Sequence, residues 1–277
     1  MLESTRIYKP IMKSTVVGKR FSLVPFLAVA FWIFPSIAKS NPIPIERELP
    51  FKFISFLVKD AKSEQPLSEG REDISVEQGF MTKATRYWAF GDSEKKLIQE
   101  ETCSFQLKSL RPRSYKFHNF KTGEFVSLSG PTENSFADRL QYKELAEKPE
   151  VSGTFLWQPG LILGKTLHHG IVRAWSKLHS SKFEPFPLYL PMKRNQYLFR
   201  AVRKSEASSE NSTMHRIALE PDNWAVRQLT PPMFFYYAEK NNLPTLVRYE
   251  GPTTVVVDKD SDRKVIIEFA YDTEIPR

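Results

Sequence analysis

The chain has 277 residues, a formal net charge of +8, 13% aromatic residues and a single cysteine. Residues 1–40 hold six Lys/Arg and one acid, a net +5, which leaves +3 for residues 41–277. That is too little for the clustered basic face that follows nucleic-acid phosphates, so no nucleic-acid partner is expected. Cys103, with no second cysteine to bridge to, leaves the 237 residues that follow the first 40 (277 less 40) to be held together by their core.

The chain begins with basic residues Lys13, Lys19 and Arg20, then the apolar run from Phe21 to Ala38, then small residues Ser36, Ala38 and Ser40 ahead of Asn41-Pro42. This order predicts a secretory signal peptide over residues 1–40, cleaved before Asn41, with Met12 as the natural start and a periplasmic mature protein. The alternative is an uncleaved anchor over residues 21–38, 18 residues long, close to the ~20 that a spanning helix needs. Pro25 and Pro35 count against it, because each removes a helix donor and clashes with the preceding turn.

Residues 41–79 read as an extended Pro-rich lead-in followed by a polar, mobile loop over 59–78. From residue 80 to 277 the pattern is strand and turn. Residues 82–90, 97–107 and 113–120 come first; Cys103, Phe105 and Leu107 share one face of the second, the period-two mark of a half-buried strand. Lys121-Thr122-Gly123 turns the chain into residues 123–130, and 136–148 fits either strand or short helix. Over 161–179 the period changes. Leu163, Leu167, Ile171, Ala174, Trp175 and Leu178 recur at three and four, which predicts one amphipathic helix. Gly164 and Gly170 each weaken it by about 1 kcal/mol, so it needs packing through Trp175. Strands follow at 185–192, 196–204, 214–220, 226–237, 245–258 and 264–272. Short turns and a single helix argue for antiparallel pairing. The fold class is therefore mainly β (α+β): a curved antiparallel sheet on one principal helix.

The sequence EETCSF, then RSYKFHNFKTGE, then the Trp-bearing helix, then FPLYLPMKRNQYLFRAVRK, LEPDNWAVRQLTPPMFFYY and LVRYEGPTTV, resembles a group of uncharacterised exported proteobacterial proteins over residues 80–272. More distantly it is similar to the LolA/LppX-like lipoprotein-carrier half-barrels. The resemblance implies a half-barrel wrapped around helix, and a lipid-like ligand.

Candidate chemistry is thin. Pro159 to Thr166 approaches a phosphate-binding loop, but Gly160 stands one residue too close to Gly164, so a helix start is the better reading. Asp258, Asp260 and Asp262 approach a calcium loop, yet Arg263 and Phe269 stand where Gly and Glu are needed; a polar hairpin turn fits better. The five histidines, His118, His168, His169, His179 and His215, show no spacing that closes a metal site or a triad. Cys103 reads as a small buried hydrophobe. No catalytic residue, metal or cofactor is therefore expected. The aromatics are more telling. Tyr115, Phe117, Trp175, Tyr197, Phe199, Phe234 and Tyr236 are expected to form one apolar face, either a filled core or a ligand surface.

Three functions remain open. The first is non-catalytic binding or carriage of a lipid or an exported hydrophobic segment. The second is an envelope assembly module with a protein partner. The third is a histidine-based hydrolase. Neither partner nor oligomeric state is legible. The leader carries its own test: N-terminal sequencing of the mature protein should begin near Asn41, whereas intact Met12 in the membrane fraction would establish the anchor.

Overall fold

The computed structural model describes residues 53–130, 138–155, 157–158, 160–204, 207–209, 212–240, 243–253, 255 and 263–271. The leader, the lead-in to residue 52 and Asp258, Asp260 and Asp262 lie outside them. No helix among the described residues is long and apolar enough to cross a membrane.

The strands are β1 (Phe53–Asp60), β2 (Pro66–Glu77), β3 (Phe80–Ala89), β4 (Leu97–Gln106), β5 (Pro112–Asn119), β6 (Phe125–Ser129), β7 (Asp138–Lys143), β8 (Val151–Phe155), β9 (Ile162–Leu163), β10 (Glu184–Leu190), β11 (Asn195–Arg203), β12 (Ala207–Ser209), β13 (Ser212–Pro221), β14 (Met233–Lys240), β15 (Leu243–Pro252) and β16 (Lys264–Tyr271). They form one sheet in the order β8-β7-β6-β5-β4-β3-β2-β1-β16-β15-β14-β13-β11-β10-β9, with β12 beside β13. Every pair is antiparallel except β9 with β10. The two ends of the sheet, β8 and β9, are consecutive in the chain and separated by six residues, 156–161. Leu128 and Leu140 from one end share a buried cluster with Leu161, Leu163 and Tyr189 from the other, so side-chain packing brings the ends of the sheet together.

The β9–β10 end is covered on both faces. Ile162 and Leu188 pack with the helices, while their neighbours Leu163 and Tyr189 pack on the β3–β7 wall. The predicted helix over 161–179 is divided. Its first residues form β9, a 3-10 turn follows at Gly164–Thr166, and two short helices succeed it, α1 (Leu167–Arg173) and α2 (Trp175–Ser180), which meet at Ala174. The stripe itself is correct, since Leu167, Ile171, Ala174, Trp175 and Leu178 are all buried. Gly170 explains its own presence: a Cβ there would lie 2.8 Å from Ile162 and 3.0 Å from Phe186, so it lets α1 approach the β9–β10 end.

Two further expectations are corrected. Residues 59–78 are not a loop; they complete β1 and supply β2, joined to β3 by the two-residue turn Gln78–Gly79. The inward side chains of β2 are Ser68, Gly70 and Glu72, which erases the apolar alternation that marks a strand. The strand expected over 226–237 begins only at Met233, because Trp224–Leu229 forms a helix, α3. Asn223 caps it, its side-chain oxygen accepting from the backbone N–H groups of Ala225 and Val226.

Trp175 lies edge-on to Tyr237, with ring centroids 5.1 Å apart, and to His215 at 5.4 Å, and is 7% exposed. It therefore docks the helices on β13 and β14. Trp175→Ala should destabilise the domain by about 3–5 kcal/mol, the usual cost of deleting a buried indole; chemical denaturation measures it, and an unchanged midpoint would refute this docking role.

Candidate functional site

The strands place polar side chains at the centre of the interior. Glu72 on β2 stands opposite Thr85 on β3, and Thr85 opposite Glu101 on β4. One step along β3, Lys83 stands opposite Cys103. Lys165, in the 3-10 turn ahead of α1, reaches across to this row. Its Nζ lies 2.9 Å from Glu72 Oε2 and 3.3 Å from Glu101 Oε2, and it donates to the Thr85 hydroxyl. Lys83 Nζ lies 2.7 Å from Glu72 Oε1, and the Thr85 hydroxyl donates to Glu72 Oε2 at 2.9 Å. Two ammonium groups and two carboxylates thus form a neutral, largely buried set. This is the role of the lysine in the loop-like PGLILGKT segment: it turns inward to carboxylates and does not cradle a phosphate.

The electrostatics follow from that geometry. Burial alone would raise the Glu72 carboxyl, but Lys165 and Lys83 outweigh it and hold it well below the ordinary carboxylate value. Burial would lower Lys165, but Glu101 and Glu72 hold it well above the ordinary lysine value. Burial and the Glu101 charge, to which it is hydrogen-bonded, push the Tyr115 phenol well up. Burial pushes the Cys103 thiol up to about 12, which keeps it a protonated, inert part of the core. Burial and Lys83 push His168 down to about 3 and also lower His169 strongly, so both imidazoles are neutral at physiological pH. His168 Nδ1 lies 3.2 Å from the Tyr237 hydroxyl. His179 and His215 sit beside Trp175 with ring centroids 5.5 Å apart. Among the described residues, no group of three or more His, Cys, Asp or Glu is placed to hold a metal ion.

The polar row continues on β4 and β5 with Gln99 and Asn119, directly opposite each other and fully buried. Asn119 accepts from the N–H groups of Lys121 and Thr122 and so shapes the β5–β6 turn. Gly70 lies on this level too. The Phe56 ring crosses it so closely that a Cβ would come within 2.2 Å.

The seven expected aromatics divide. Tyr115, Phe117 and Trp175 are in the interior, and Phe199 packs at the edge of the helix-facing cluster. Tyr197 is 41% exposed at the rim. Phe234 and Tyr236 are on the opposite face from the one expected. The Arg216 guanidinium lies 3.7 Å from the Phe234 ring centroid, and the Tyr236 hydroxyl donates to Glu250 at 3.1 Å. Phe235 and Tyr237 point inward in their place. In MFFYY every position is apolar or aromatic, so alternation gives no phase; the register of Tyr237 with His215 decides it. Two surface depressions, of about 580 Å³ over β6–β8 and about 380 Å³ around Ala89, Ile98 and Phe120, are lined by none of the seven.

The outside offers a different feature. The described part of α3 buries none of its residues; Trp224 is 73%, Val226 46% and Leu229 87% exposed. It is tied to the sheet by Arg227, which donates to the Asp222 carbonyl at 2.8 Å. Asp222 N–H in turn donates to the carbonyl of Leu198, itself 50% exposed. Beneath it, Arg200 at 3.0 Å, Lys204 at 2.7 Å and Arg227 at 3.9 Å converge on the Glu220 carboxylate. Arg200 also sits 5.7 Å from the ring centroid of Phe183, 45% exposed. Sequence reading missed this surface because it took α3 for strand; the Asp-Asn ahead of Trp224 was the available cap signal.

No family model matches the chain, and no curated protein matches it. Among solved structures it is similar to a beta-barrel-like protein of domain of unknown function DUF1849 from Brucella abortus. The TM-score is 0.49 and the identity 7%, over 80% of this chain and 96% of that one.

The ion cluster sets a pH dependence. Glu72 is lowered from 4.5, so its stabilisation is complete above that value and lost as the pH falls through its lower folded value. Lys165 is raised from 10.5, so its share is complete below that value and lost as the pH rises through its higher folded value. Melting temperature should therefore hold a plateau between the two and fall in strong acid and strong alkali. Lys165→Met, which leaves Glu101 without its cation and Glu72 with Lys83 alone, should cost about 3–5 kcal/mol. A variant as stable as wild type at neutral pH would show the cluster to be dispensable.

Proposed function

We propose that this chain is an exported, non-catalytic binding protein of the cell envelope, and that it contacts its hydrophobic partner with its outer surface. The uncovered α3 carries this reading: Trp224, Val226 and Leu229 are exposed, while the aromatic and aliphatic side chains of the interior pack on one another and on α1 and α2. Three large apolar side chains left exposed on one six-residue helix are of the kind that marks interaction sites. The leader-like order of residues 12–40 supports export. Lipid carriage in a concave cavity has less support, since Tyr115, Phe117 and Trp175 pack within the core. A histidine-based hydrolase also has less, since His169 is buried, His168 is mostly so, and both are held neutral beside Lys83.

A photo-crosslinking amino acid placed in living cells at Trp224 or Leu229 should give a covalent adduct, and the same residue at Phe90, exposed in the turn after β3, should give none. Equal adducts at all three positions, or none at Trp224 and Leu229, would overturn the surface reading.

A further inference from the structure

We infer that the surface formed by α3 with Leu198, Phe183 and the cations around Glu220 seats on an anionic lipid headgroup layer. The inference rests on the surface reading above and names the occupant. Two observations carry it independently, the angular spread of the apolar residues and the local charge.

At about 100° per residue, Trp224, Leu229 and Val226 stand near 0°, 140° and 200° around α3, a fan of about 200°. Arg227, near 300°, is the residue that ties the helix to the sheet. A protein groove reads a helix through a one-sided stripe at i, i+3 and i+4. α3 has no such stripe. Its apolar groups are spread over the solvent side, with the exposed Gln228 between Trp224 and Leu229, and a medium that surrounds the helix contacts all three at once. The boundary between headgroups and acyl chains is such a medium, and a Trp indole, apolar in body with one N–H donor, suits that depth.

The charge agrees. Arg200, Lys204 and Arg227 face one carboxylate, Glu220. Counting Asp222 as well leaves a surplus of one positive charge; Lys182, exposed beside Phe183, adds another, and Glu184 on its other side is balanced by Lys177 at 2.8 Å. Cations that rim an apolar cluster attract anionic headgroups while the apolar groups enter, and the two effects add. Arg200 stays within reach of both Glu220 and the Phe183 ring, so its charge is held at the level of the exposed aromatic groups.

The test is vesicle flotation of the mature chain with phosphatidylcholine alone and with equal parts phosphatidylcholine and phosphatidylglycerol. The protein should float with the mixed vesicles, less so as salt is raised, and stay unbound with phosphatidylcholine alone. The double variant Trp224→Ser, Leu229→Ser should lose flotation with an unchanged melting curve, because both side chains are exposed. Phe90→Ser with Phe120→Ser, exposed apolar groups in the turns after β3 and β5, should float like wild type. No flotation of the wild type, or flotation that survives the α3 double variant, overturns the lipid proposal. If flotation fails while crosslinks at Trp224 yield a protein, the occupant is a protein and the surface reading stands. If both fail, the surface reading falls with it.

Discussion

The structure depends on Lys165. Its ammonium group is drawn into the interior, with the side chain only 12% exposed, and burial of an unpaired charge there is costly enough to unfold a domain. The charge is tolerable because Glu72, Glu101 and Thr85 converge on it, and Glu72 is in turn held by Lys83. Each partner comes from a different place in the chain: β2, β3, β4 and the turn ahead of α1. The four charges are compatible with burial only when all these elements are in register. A slip of β2 by one residue would put the shorter Asp73, which belongs to the outer face with Arg71 and Arg86, in the place of Glu72 and would weaken its pairing with Lys83 and Lys165. The cluster therefore acts as a specificity device more than as a source of net stability, since hydrophobic replacement of a whole buried ion set is often neutral or better.

Around this polar centre the interior is apolar on three sides. One cluster joins α1 and α2 to β10, β11, β13 and β14; a second joins β3–β7 to the β9–β10 end; a third links β1, β3, β4 and β16. A sheet of this many strands encloses more volume than its own inward side chains fill. The β9–α1–α2 segment supplies the missing volume, and Lys165, between β9 and α1, ties it to β2, β3 and β4. His168 and His169, at the start of α1, fall next to Lys83 as a consequence. Their low pKa values are a by-product of packing beside a cation and do not by themselves indicate catalysis.

What the sequence revealed and concealed follows the same division. Where the inward residues are apolar, as with Cys103, Phe105 and Leu107 or the stripe from Leu167 to Leu178, period alone located the element and its buried face. Where they are polar, it failed. β2 read as a loop because Ser68, Gly70 and Glu72 face in, and the partners that make this acceptable, Lys83, Lys165 and the Phe56 ring, lie on other strands. Where every residue is apolar, as in MFFYY, period was silent and the choice of Phe234 and Tyr236 as the inner face was reversed. The helix over 161–179 was over-extended at its start because Leu163 fits its stripe and also pairs Tyr189 as strand. In each case the missing information is a contact between residues far apart in the chain, which no local period encodes.

α3 poses the converse question, of why apolar side chains stand where packing does not require them. A helix of six residues has no intrinsic stability to speak of in water. Its persistence here is accounted for by polar interactions alone: the Asn223 cap on Ala225 and Val226, and the Arg227 guanidinium on the Asp222 carbonyl and the Glu220 carboxylate. Serine or glutamine at Trp224, Val226 and Leu229 would leave every one of those contacts in place and would lower the hydrophobic area exposed to water. The apolar groups therefore serve neither the helix nor the core beneath it. The proposed outside partner would account for their presence, and the cations held at Glu220 would favour one that is both apolar and acidic.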